Sequence, residues 1–167
     1  MNDLHEIVRD AAQRHRLPPA VVCGLVETES KWNPWAARYE PAFFTRYIDK
    51  SAMHIIVREF CRKADFFVNF DTELRERAFS KGLGQLMGQT ARELGYIGPL
   101  SRLYEPHINI TWCCKLLKRN LDKCTGDMTK ALLKYNGGAD PTYAERVLAR
   151  TVQYSDVPDR GTFGTAI

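Results

Sequence analysis

The sequence predicts one mainly α-helical domain over residues 1–155, followed by a flexible tail at 156–167. Three observations carry that expectation. Apolar side chains recur at helical spacing through most of the chain, helix caps and stops bracket those runs, and no alternating run is long enough to build more than a small hairpin. At 167 residues, with 44% hydrophobic and 26% charged content, the chain has the size and composition of a single domain that buries a core.

The first helix begins at Asp3, where Glu6 completes a capping box, and turns Leu4, Ile7, Val8, Ala11 and Ala12 inward. Pro18 and Pro19 open the second, which carries Val22, Leu25, Val26 and Glu29 on one face. Pro34 disfavours helical backbone at Asn33, so that helix gives way to an aromatic loop with Trp32 and Trp35. From about 41 to 79 the chain is rich in aromatics and charge. Ile55, Ile56, Phe60 and Cys61 predict at least one helix there, and the cluster Phe66-Phe67-Val68-Asn69-Phe70 reads as its core. A short helix over about 89–94 stops at Gly95. Pro106 opens a long helix with Cys113, Leu116, Leu117, Asn120, Leu121 and Cys124 inward, while Lys115, Lys118, Arg119, Lys123 and the later Lys130 read as solvated. Asp127 caps the next helix, which aligns Met128, Ala131, Leu132 and Tyr135 and stops at Asn136-Gly137-Gly138. A last helix after Pro141 includes Tyr143, Val147 and Leu148.

The net charge of +4 is mild and spread along the chain; it suits an anionic polymer or surface, and no nucleic-acid motif accompanies it. No apolar run could span a bilayer, and Met1-Asn2-Asp3-Leu4-His5-Glu6 lacks the basic and apolar regions of a signal peptide. The expectation is a chain made in the cytoplasm, without stable membrane insertion. Cys23, Cys61, Cys113, Cys114 and Cys124 are odd in number and mostly sit in apolar patterns, and His5, His15, His54 and His107 are scattered. That predicts no disulfide framework, no metal and no cofactor. A Cys–His nucleophilic pair stays open, although nothing local activates a thiol.

Glu29 is the residue with the most chemistry in it. Removing an ionised carboxylate from water is costly, so a glutamate on an apolar stripe finds a partner, keeps its proton through a raised pKa, or sits at the rim with its head in water. A carboxylic acid still protonated near neutral pH is a general acid.

Four strings then follow in order: Glu29-Ser30-Lys31-Trp32-Asn33-Pro34-Trp35-Ala36; Gly82-Leu83-Gly84-Gln85-Leu86-Met87; Leu103-Tyr104-Glu105-Pro106-His107-Ile108-Asn109-Ile110; and Tyr135-Asn136-Gly137-Gly138. Together they resemble the catalytic domain of the soluble lytic transglycosylases, a lysozyme-like family of the goose type that cleaves bacterial cell-wall glycan. The resemblance spans roughly Pro19 to Arg150, apart from the stretch at 41–79. In most of that family the Gly-Leu-Met-Gln motif follows the Glu-Ser motif closely, whereas about forty residues intervene here, as if Tyr39-Glu40-Pro41 led into an insertion. Gly84 stands where Met is usual, and Gly88 where Pro is frequent. The arrangement resembles phage and prophage members of the family more than the periplasmic housekeeping enzymes, which implies reaching the wall by release or assisted export.

The resemblance implies cleavage of the bond between N-acetylmuramic acid and N-acetylglucosamine to leave 1,6-anhydro ends, with Glu29 as the single acid and base and Tyr135 hydrogen-bonded to it. Ser30 and Gln85 would orient the acetamido group or the acid, and Met87 and Asn136 would line sugar subsites. Each has a plainer reading: Tyr135 as a core aromatic, Ser30 and Asn136 as helix caps, Gln85 as a clamp on turn backbone, and the two tryptophans as packing. Glu40 is the spare carboxylate beside the loop, either a second acid or a solvated residue. Two rival functions remain open, namely a hydrolase in which Glu40 or Asp71 positions water, and a silent glycan-binding or virion component. The expected partner is peptidoglycan, met by a monomer.

Overall fold

Proline placement and apolar spacing set most of the helices. The structure, a computed structural model, describes residues 2–155; the expected Asp3 cap and the tail at 156–167 fall outside what it describes. Helix α1 (Asn2–Arg14) is followed by α2 (Pro19–Ser30), whose Pro19 sits in the first turn, where a missing N–H costs nothing. At its other end Lys31 and Trp32 adopt left-handed backbone, with φ of 51° and 64°, so the helix stops before Pro34 acts. Strand β1 (Ala37–Tyr39), α3 (Pro41–Phe43), a π-helical turn (Phe44–Ile48), α4 (Ser51–Lys63) and α5 (Phe70–Glu76) come next. The chain then forms β2 (Phe79–Lys81), β3 (Leu86–Met87) and α6 (Gly88–Glu93). A 3-10 turn (Leu100–Tyr104), α7 (Pro106–Lys123), α8 (Met128–Tyr135) and α9 (Tyr143–Thr151) complete it, with a final 3-10 turn at Val152–Tyr154. Asp127 caps α8 as expected, its Oδ1 accepting the Lys130 N–H at 3.0 Å.

Helix α2 is the axis of the main core. Val22, Leu25 and Val26 are buried against Val8, Ala11 and Ala12 of α1, Leu117 of α7, Leu132 of α8 and Val147 of α9. The closest approach is to α9, where a Cβ on Gly24 would lie 2.7 Å from the Val147 carbonyl oxygen, so glycine lets the two backbones touch. A second cluster under α6 joins Leu86, Ala91, Leu94, Leu103 and Leu116.

The small sheet is antiparallel in the order β1-β2-β3, and Tyr39 pairs with Phe79. The segment from Glu40 to Ala78 therefore leaves and re-enters the domain between neighbouring residues. It has its own core of Ile48, Val57, Leu74 and Ala78, backed by Phe43, Phe44, Met53 and Phe70. Ile55 and Ile56 lie on a helix, as expected, and face outward, with Val57 the buried residue. One expectation is corrected: Phe67, placed in the core by its sequence, is 96% exposed, while Asn69 caps α5 and Phe70 packs on the segment's core.

Charge ties this segment to the rest. Glu73 of α5 is 1% exposed and accepts from Arg77 Nε at 3.0 Å and from Arg92 of α6 at 2.8 and 2.9 Å. Arg77 also donates to Gln89 Oε1 at 3.0 Å, and Arg92 to the carbonyls of Tyr96 and Gly98 at 2.7 Å each. The buried Lys81 Nζ donates to Glu76 of α5. Removing one partner of such a network strands buried cations. Glu73→Ala is expected to destabilise the fold by about 3 kcal/mol or more in urea denaturation, whereas Asp71→Asn, exposed on the same helix, should stay within about 0.5 kcal/mol.

Candidate active site

A groove of about 540 Å³ runs between the end of α2, the sheet, α6, α7 and α8. Of the residues singled out from the sequence, Glu29, Glu40, Gln85, Met87, Tyr135 and Asn136 line it, together with Arg38, Ser80, Arg119, Asn120 and Lys134. Ser30 is not among its lining residues. The Ser30 hydroxyl donates back to the Val26 carbonyl at 3.2 Å, the helix-end role that was the plainer reading.

Glu29 holds the position its spacing implied, at the edge of the core with its carboxyl in the groove. Burial raises its pKa above the ordinary 4.5; a hydrogen bond from Tyr143 and the charges of Arg38 and Arg146 oppose that rise without cancelling it. The expected partner is corrected: Tyr143, not Tyr135, holds the acid. Tyr143 Oη donates to Glu29 Oε1 at 2.5 Å, from the first turn of α9, the helix that Gly24 lets close onto α2. The Tyr143 hydroxyl is itself held far above its ordinary range by burial and by the adjacent carboxyl, so it acts as a donor and not as a phenolate.

Tyr135 works on the opposite wall. Its hydroxyl donates to the Gly84 carbonyl at 2.8 Å, which fixes the turn between β2 and β3. A Cβ on Gly84 would fall 2.4 Å from Cys113 Sγ and 3.0 Å from the Tyr135 oxygen, so the close packing there favours glycine. Asn109 completes the support: its Oδ1 accepts the Gly84 N–H at 2.9 Å and its Nδ2 donates to the carbonyls of Lys81 and Leu103 at 2.8 Å each. Gln85 has left-handed backbone, φ 47°, and its Nε2 donates to the carbonyls of Ala36 and Gly82 at 3.0 Å while its Oε1 accepts from Ser80 at 3.2 Å. It lines the groove, and its amide clamps β1 to the turn, which is its plainer reading.

Glu40 lies in the groove with its Oε1 bound by Arg38 Nε at 2.5 Å. Asp71 is exposed on α5 and lines no part of the groove. Trp32 packs, its Nε1 donating to Tyr154 Oη at 2.8 Å and its ring lying 4.2 Å from that of His5; Trp35 is 73% exposed. The buried thiols are inert: burial pushes Cys23 and Cys113 up to about 12 and Cys114 higher still. Among the described residues no three His, Cys, Asp or Glu side chains converge as a metal site, and no helix is long and apolar enough to cross a membrane.

Tyr143, Asn109 and Arg38 are the site residues that sequence reasoning missed. Tyr143 carried no local signal, since its partner is 114 residues away. Asn109 stood inside one of the four quoted strings, and an asparagine on the inner face of a long helix is a usable sign of a buried polar clamp.

A helical scaffold that holds one half-buried acid in an open groove is lysozyme-like in architecture. The chain belongs to the transglycosylase SLT domain family, whose model matches residues 6–153 and whose members are lytic transglycosylases acting on peptidoglycan. No solved structure matches the chain.

The two tyrosines separate by experiment. Tyr143→Phe removes a bond that favours the carboxylate, so the alkaline limb of the pH–rate profile is expected to move to higher pH. Tyr135→Phe leaves that limb in place and lowers stability by about 1 kcal/mol through the unpaired Gly84 carbonyl; pH–rate profiles and thermal melts of both variants check this.

Proposed function

We propose that the protein is a lytic transglycosylase that cuts the β-1,4 bond between N-acetylmuramic acid and N-acetylglucosamine, with Glu29 as the only acid and base. The protonated Glu29 gives its proton to the bridging oxygen as the C1–O bond breaks, and the acetamido group of the muramyl sugar assists that departure. The sugar's own C6 oxygen then bonds to C1, and its proton returns to Glu29, so no water is consumed and a 1,6-anhydro end remains. The Tyr143 hydroxyl steadies the carboxylate between the two proton transfers. Gln85, Met87 and Asn136 line the strand's path in this reading.

The observation that carries the proposal is the half-buried Glu29 with a raised pKa and a neutral phenol as its hydrogen-bond partner, a group able both to give and to accept a proton. Hydrolysis asks for a second carboxylate to position water. Glu40 is in the groove but is bound by Arg38, and Asp71 lies outside it, which supports the single-carboxylate route. The long segment between the Glu-Ser and Gly-Leu-x-Gln motifs supports a phage or prophage setting, with a monomer reaching the wall by release or assisted export.

Mass spectrometry of digested cell wall should find anhydromuramic ends; reducing muramic ends would establish the hydrolase instead. Glu29→Gln is expected to lower turnover by about a thousandfold while binding to cell wall persists, and unchanged lysis would remove Glu29 from the mechanism. The same variant tests the buried acid independently of activity. A folded-state pKa raised above 4.5 means that Glu29's favourable contribution is complete below that value and lost as pH rises through the raised folded one. Glu29→Gln should therefore melt higher than the parent at neutral pH, and the gap should close in acid.

A further inference from the structure

The groove continues past the acid into a corner built by α6, α7 and α8, where the polar side chains are under-used. Asn120 of α7 is 6% exposed and its Nδ2 has no hydrogen-bond partner; the neighbouring Arg119 has a buried Nε without one. Both line the groove, as does Lys134 of α8. Two other cations on these helices are matched: Lys118 pairs with Asp122, and Lys130 with Asp127 at 3.0 Å. Across the corner Glu93 of α6 accepts from Gln89 Nε2 at 3.0 Å, and Glu40 is occupied by Arg38. A buried amide and a guanidinium nitrogen without protein acceptors cost free energy, and a bound anionic acceptor would recover it. The solvated face predicted for Arg119 is thus corrected, since the side chain turns into the groove.

The anionic ligand of such a corner is narrowed by the chemistry of the wall polymer. In an intact strand the sugars are neutral and the lactyl carboxyl is spent in an amide bond, so negative charge lies on the carboxylates of the peptide arm. Arginine offers a planar fork that matches a carboxylate, with lysine as a second point charge and an amide N–H as a third donor. We infer that Arg119, Asn120 and Lys134 form a subsite for a carboxylate of that peptide arm, so the enzyme selects strands whose peptides are in place and ionised. The inference rests on the transglycosylase reading of the same groove.

The test compares two preparations of one glycan, with peptide carboxylates free or converted to amides. The parent protein should cleave the free form with a kcat/KM about tenfold higher, the size of one charge-assisted hydrogen bond. Arg119→Gln should erase that preference by bringing the rate on the free form down to that on the amidated one, and high salt should do the same. Lys134→Gln, at an exposed position that poses no folding risk, should reduce the preference in part. Equal rates on the two preparations with the parent protein, or a preference that survives in both variants, would overturn the subsite. Absence of anhydro ends on either preparation would instead overturn the transglycosylase reading, so the two failures are distinguishable.

Discussion

The hydrogen bond between Tyr143 and Glu29 is the contact around which the rest of the structure is arranged. It joins the end of α2 to the start of α9 across 114 residues of sequence, where glycine at position 24 lets the two helix backbones approach each other. A carboxyl placed there loses water on one side and keeps the groove on the other. Burial raises its pKa, and the phenol and two nearby guanidinium groups oppose that rise without cancelling it.

The opposite wall is held by backbone and not by charge. Asn109 binds three main-chain groups of the β2–β3 region and its flanks, Gln85 binds two carbonyls, and Tyr135 binds a third. These polar side chains tie the turn and its flanks together through main-chain groups. The wall is consequently stiff, and the sugar-facing surface is set by residues whose own hydrogen bonds are complete. The α7–α8 corner is the exception, since the Asn120 amide nitrogen and Arg119 Nε have no acceptor there.

Much of this was legible in the sequence because it is local. Helical spacing placed Val22, Leu25 and Val26 inward and Glu29 at the edge, and Pro106, Asp127 and Gly95 marked helix ends that the fold retains. Burial choices inside the segment after Tyr39 were less legible: Phe67 and Ile56 are as apolar as Phe70 and Val57, and only the small core they pack on decides which face turns in. The identity of the acid's partner was illegible for another reason. Tyr135 and Tyr143 both lie on inner faces of helices near the groove, and the choice between them is a tertiary distance. Ser30 likewise satisfies itself within its own helix, a preference that spacing does not reveal.

The pairing of Tyr39 with Phe79 bears on how such a chain changes length. An excursion whose two ends are already adjacent closes at little entropic cost, so its size is free to drift. Its electrostatics are not free. Arg92 and Lys81 belong to the main body, yet the carboxylates that neutralise them, Glu73 and Glu76, ride on the excursion. A shorter descendant that kept both cations would carry two orphaned positive charges at the floor beneath the sheet, so deletion of the loop and loss of those cations must travel together.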